Sequence, residues 1–110
     1  MVALFSYGTL QQREVQLATF GRELVGTADV LRGYRLTQLA ICDPKVAELS
    51  GKAVHTIAAV GEPGDQVPGL VFEVTRAELE AGDRYEVEAY ARVEVTLESG
   101  RRAWAYVRSP

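Results

Sequence analysis

Two stretches of this chain carry residue types suited to chemistry. In Leu4-Phe5-Ser6-Tyr7-Gly8-Thr9-Leu10-Gln11-Gln12 an apolar strand pattern runs straight into a glycine turn and a helix start. Thr9 is a good N-cap residue and Gln12 follows three places later, the spacing of a capping box, while Gly8 allows a sharp turn just before it. A helix start leaves backbone N–H groups unpaired, so a carboxylate or phosphate placed there is hydrogen-bonded and favoured by the helix dipole. The same residues also suit an ordinary strand-to-helix turn.

The second stretch is Leu79-Glu80-Ala81-Gly82-Asp83-Arg84-Tyr85-Glu86. On a helix, Glu86 lies two turns beyond Leu79 and nearly on the same face, so an inward Leu79 carries Glu86 toward the core. A carboxylate beside apolar surface loses hydration, its pKa rises, and it becomes suited to moving protons near neutral pH. If instead the helix frays before Glu86, the residue is a solvated surface acid, as most of the 15 acidic residues must be.

Other chemistries are poorly supplied. His55 is the only histidine, and pairing it with Cys42 or Ser50 needs an orienting third group and an oxyanion site that no motif announces. One histidine and one cysteine make a poor zinc site, and neither GxxxxGK[ST] nor GxGxxG occurs. Glu78, Glu80 and Asp83 read most simply as a solvated helix face.

The composition sets the frame for these residues. A chain of 110 residues, 47% hydrophobic and 25% charged, reads as one globular domain over 1–110. A net charge of −3, with Arg101-Arg102 in an expected hairpin, supplies no basic footprint for nucleic acid. Cys42 alone makes no internal disulfide, and the N-terminus lacks a basic n-region and a long apolar run, so a cytoplasmic location is expected. Charges interrupt every apolar segment short of the roughly 18 to 20 residues that span a bilayer, so no membrane partner is expected.

Periodicity then assigns the elements. Val2 to Tyr7 reads as a buried strand, and Leu10 to Phe20 as a helix with Val15 and Ala18 on one face and Gly21 as its stop. Glu23 to Ile41 is a long strand-like region in which Gly26 and Gly33 suggest bulges or bends. From Cys42 to Gly69 prolines and glycines break the pattern, and only Val54 to Val60 looks regular. Val67 to Val74 is a strand, and Thr75 with Glu78 forms a second capping box that opens a helix toward Tyr85. Ala91 to Leu97 and Arg101 to Val107 alternate around Glu98-Ser99-Gly100 as a hairpin. Six or more strands and two short helices describe an α+β domain built on a curved sheet or small mixed β-barrel.

Five pieces together resemble the γ-glutamylcyclotransferase-like, or AIG2-like, family: Tyr7-Gly8-Thr9-Leu10, Leu31-Arg32-Gly33-Tyr34-Arg35-Leu36, Pro68-Gly69-Leu70-Val71-Phe72-Glu73-Val74, Asp83-Arg84-Tyr85-Glu86 and Tyr90-Ala91-Arg92-Val93. The resemblance implies a small mixed barrel in which the Tyr7-Gly8-Thr9-Leu10 loop holds a glutamyl end and Glu86 is the catalytic acid. It also implies a cofactor-free and metal-free reaction in which a γ-glutamyl amine or peptide closes to 5-oxoproline and releases its amine. Tyr7 and Tyr90 are candidates to orient the substrate, or simply to fill the core. Gly82, where the family usually has leucine, is expected to weaken helix packing, and Val87, where glycine usually follows the acid, to restrict the backbone beside Glu86. A non-catalytic binding domain that keeps the pocket is the alternative. The leaving group would be selected by the irregular Asp43 to Gln66 stretch.

Overall fold

The computed structural model describes residues 1–40, 54–86 and 89–109. Along the chain these form β1 (Val2–Ser6), a 3-10 turn (Thr9–Gln11), α1 (Arg13–Phe20), β2 (Gly26–Arg32), β3 (Tyr34–Ala40), β4 (Val54–Val60), β5 (Gln66–Val74), α2 (Arg76–Tyr85), β6 (Tyr90–Thr96) and β7 (Arg102–Arg108). Five strands make one sheet in the order β2-β5-β1-β7-β6, and β3 pairs with β4 in a second, two-stranded sheet. The β1–β7 pair is parallel, whereas the other pairs are antiparallel. The α+β class expected from the pattern is the class observed.

Strand alternation builds two layers from one sheet, because successive side chains point to opposite faces. Leu4, Phe72 and Tyr106 pack with Leu10, Val15, Leu79 and Tyr85 on the helical side. Their neighbours Phe5, Val71 and Ala105 pack on the other side with Leu31, Val67 and Ala58 of β4. Covered on both faces, β1 has no polar alternation, and Leu4 and Phe5 are both fully buried.

Several elements depart from expectation. The Glu23 to Ile41 region is two strands, with Gly33 at φ 81° in the turn between them and Gly26 paired with Phe72 rather than bulged. The first helix starts at Arg13, and it buries Val15 and Gln16 while Ala18 is exposed. Gly21 does stop it, at φ 75° with its N–H on the Leu17 carbonyl. The capping box expected at Thr9 is absent: neither the 3-10 turn nor α1 has a side-chain cap. The Thr9 hydroxyl is instead engaged with the Tyr85 hydroxyl at 2.7 Å.

The second capping box is present in full. Thr75 Oγ1 accepts from the Glu78 N–H at 3.1 Å, and Glu78 Oε1 accepts from the Thr75 N–H at 2.8 Å. Arg22 donates to both Glu78 oxygens, at 2.7 and 3.0 Å, and chiefly by this bond holds the carboxyl down at about 2. Glu78 therefore stabilises the fold above the ordinary glutamate range, and that contribution is lost as pH falls toward 2. Thr75→Ala is expected to cost about 1 kcal/mol. Urea unfolding checks this as a lower midpoint at unchanged slope.

Candidate active site

The two stretches singled out by their chemistry meet at one cavity of about 430 Å³. One wall is the end of β1 and the turn after it, Phe5 to Gln12; the other is Glu86, Tyr90 and Tyr106, with Thr56 of β4 at the side. Glu86 is the only charged side chain among the described residues of this lining.

Glu86 arrives there by a route that differs from the helical-face argument. Helix α2 ends at Tyr85, and Glu86 is its C-cap in extended conformation, φ −70° and ψ 141°, with its N–H on the Gly82 carbonyl at 3.0 Å. Leu79 is buried in the core and Glu86, just past the helix end, lines the cavity. Burial pushes the Glu86 carboxyl up to about 8. Among the described residues no donor reaches it.

The Tyr7-to-Leu10 turn is held largely by its own polar groups. The Gly8 N–H donates to Ser6 Oγ at 3.3 Å, and Gln11 Nε2 donates to the Ser6 carbonyl at 2.6 Å. The N–H groups of Thr9 and Leu10 meet no acceptor among the described residues. Thr9, capless as a helix former, ties this wall to the other through Tyr85, the residue next to Glu86.

The tyrosines of the lining are already committed to the frame. Tyr7 donates to the Tyr106 carbonyl at 2.6 Å and accepts from the Ala58 N–H at 2.9 Å, so its hydroxyl joins β7 of the large sheet to β4 of the small one. Tyr90 donates to the Thr56 carbonyl at 2.8 Å. Burial, with the Glu86 charge adding to it, raises both phenols above their usual range. Their rings shape the cavity while their hydroxyl protons face backbone.

Sequence reasoning overlooked Tyr106 as a wall of the cavity and Tyr85 as the partner of Thr9. Tyr106 was legible only as the apolar member of a strand alternation, yet its hydroxyl donates to Asp83 Oδ1 at 2.7 Å and approaches the Leu79 carbonyl at 3.2 Å. This overturns one expectation. Gly82 does not loosen α2: a Cβ there would sit 2.8 Å from the Tyr106 hydroxyl, so the glycine is what admits Tyr106. Glu80 and Asp83 are exposed as a solvated face requires, but Glu78 is bound by Arg22 and Asp83 by Tyr106 and Arg92. Cys42, Ser50 and Val87 lie outside the described residues, as does the His55 side chain. Among the described residues no three metal-ligating side chains cluster, and no helix is long and apolar enough to cross a membrane.

A sequence model of gamma-glutamyl cyclotransferase, AIG2-like proteins matches residues 4–110. The chain belongs to that family. Its fold recurs in an Arabidopsis thaliana protein solved in solution, with a TM-score of 0.74 at 23% identity over 97% of this chain and 61% of that one. It is also similar to a structure described as a gamma-glutamyl cyclotransferase, with a TM-score of 0.72 at 17% identity over 98% of this chain and 66% of that one. The Kluyveromyces lactis allophanate hydrolase contains the same fold in 17% of its length, with a TM-score of 0.73 at 17% identity over 98% of this chain. This chain therefore spans about three fifths to two thirds of the Arabidopsis and cyclotransferase structures. No curated protein matches its sequence at significant similarity.

Proposed function

We propose that the chain is a cyclotransferase that converts a γ-glutamyl amine or γ-glutamyl peptide to 5-oxoproline. The observation that carries this reading is a partly buried carboxyl, Glu86, raised to about 8 and set across one cavity from the Thr9 and Leu10 N–H groups. Membership in the AIG2-like family, and the fold it shares with a structure described as a gamma-glutamyl cyclotransferase, support it.

In this mechanism the N–H groups of Thr9 and Leu10 hold the α-carboxylate of the glutamyl group, and that of Gly8 joins them when it leaves Ser6 Oγ. Glu86, ionised, takes a proton from the α-ammonium. The freed amine attacks the γ-carbonyl and the new C–N bond closes a five-membered lactam. The old amide C–N bond then breaks as Glu86 returns this proton to the departing nitrogen, and the second proton shed by the attacking nitrogen passes to the released amine, leaving a neutral lactam. Both reacting groups belong to one molecule, so the pocket's main task is to hold the substrate folded back.

Incubation with glutathione, γ-glutamyl amino acids and γ-glutamyl-lysine, with 5-oxoproline followed by mass spectrometry, tests the reading. Release from at least one substrate is expected. Binding without release from any of them would instead identify a non-catalytic pocket. The acid limb of kcat/KM is expected near pH 8, because free Glu86 must lose its proton before it can accept one. A limb in the ordinary carboxylate range would mean that burial does not raise the Glu86 carboxyl in the free enzyme, and its loss in Glu86→Gln is what would still assign the base.

A further inference from the structure

The Glu86 carboxylate has no donor of its own among the described residues, so its position is inherited from the end of α2. That end is fastened through Asp83, three residues earlier. The Tyr106 hydroxyl donates to Asp83 Oδ1 at 2.7 Å, and Arg92 Nε lies 3.0 Å from the same oxygen. The Arg92 guanidinium is fixed in turn over Trp104, 4.7 Å from the ring centroid. Asp83 thus ties the helix to β6 through Arg92 and to β7 through Tyr106. The Tyr106 backbone carries the fastening across the cavity, because its carbonyl accepts the Tyr7 hydroxyl beside the substrate-binding turn.

We propose that Asp83 is a positioning residue for Glu86, acting through Arg92 and Tyr106 to hold the end of α2 so that the Glu86 carboxylate stays in the cavity. As a statement about catalysis this rests on the cyclotransferase reading. The geometry that it asserts does not.

Two readouts test it on the full chain: steady-state kinetics with the best γ-glutamyl substrate, and titration of the Glu86 side-chain carboxyl by carbon-13 NMR. Asp83→Ala is expected to lower kcat at least ten-fold with KM within two-fold, and to move the Glu86 titration back toward the ordinary glutamate range. Asp83→Asn removes the charge but keeps an acceptor for Tyr106, and is expected to stay within three-fold of the parent kcat. A folded Asp83→Ala protein with unchanged kcat and unchanged Glu86 titration would overturn the proposal. Equal effects from alanine and asparagine would also overturn it, because Asp83 would then act by charge alone. Should the alanine variant fail to fold, Tyr106→Phe removes only the hydroxyl and is read in the same two ways. If the parent protein turns over no γ-glutamyl compound, the cyclotransferase reading fails, and the titrations alone decide whether Asp83 positions Glu86.

Discussion

Replacing Glu86 by glutamine is expected to lower 5-oxoproline release by about 10² to 10⁴-fold, the range general acid–base groups supply. The amide keeps the shape of the side chain but neither accepts nor returns the proton, so KM should change far less than kcat. The same substitution should stabilise the protein. With the folded-state carboxyl raised to about 8, the native protein holds a proton that the unfolded chain has released, so stability falls between the unfolded glutamate range and pH 8. Glutamine has no such proton to lose, and near pH 8 the gain is on the order of 3 kcal/mol. Thermal unfolding at pH 5 and pH 8 separates the cases: the two proteins should converge at the lower pH and part at the higher. A glutamine variant that is inactive and also less stable at pH 8 would mean that Glu86 holds structure rather than a proton.

Gly69→Ala is expected to be the most damaging of the glycine-to-alanine changes. The new methyl group would overlap the Ser6 carbonyl oxygen and lie 2.7 Å from Cζ of Phe5, both on β1. Neither is the free end of a flexible chain: Phe5 is locked in the core, and the Ser6 carbonyl already accepts from Gln11. Overpacking of this kind costs about 1 to 3 kcal/mol. The displacement also reaches the cavity, since Ser6 lines it and immediately precedes the Tyr7-to-Leu10 turn. We therefore expect a lower urea midpoint together with a raised KM. Gly64→Ala is the control, because a Cβ there meets nothing within 4 Å, and its midpoint should stay within a few tenths of a kcal/mol. Equal effects at the two positions would contradict the packing argument.

The two threonine boxes show where sequence is informative and where it stops. Thr75-x-x-Glu78 and Thr9-x-x-Gln12 are nearly the same local pattern, and only the first forms its cap. The difference is tertiary: the Thr9 hydroxyl has a partner in Tyr85, 76 residues away, which no local spacing announces. Val54 to Val60 and the β6–β7 hairpin were legible because alternation and turn residues are local signals. The insertion of β1 between β5 and a parallel β7 was not, because a strand covered on both faces reads only as an apolar run. Glu86 was legible through Leu79 even though the helix stops one residue short of it. Gly82 was misread because its reason lies on β7.

The parallel pairing of Leu4 and Phe5 with Trp104 and Ala105 also bears on how the protein comes into being. The first wall of the cavity comes from residues 5–12 and much of the second from Tyr90 and Tyr106, and the register between them is set by strands about 100 residues apart. On a translating ribosome, β1 can pair with β5 once Gln66–Val74 has emerged, but its other edge stays open until β7 follows. Contacts this distant in sequence also slow folding, because the intervening chain must be ordered first. The pocket is therefore a late product of folding, and until it closes the apolar edge of β1 is exposed to whatever strand reaches it first.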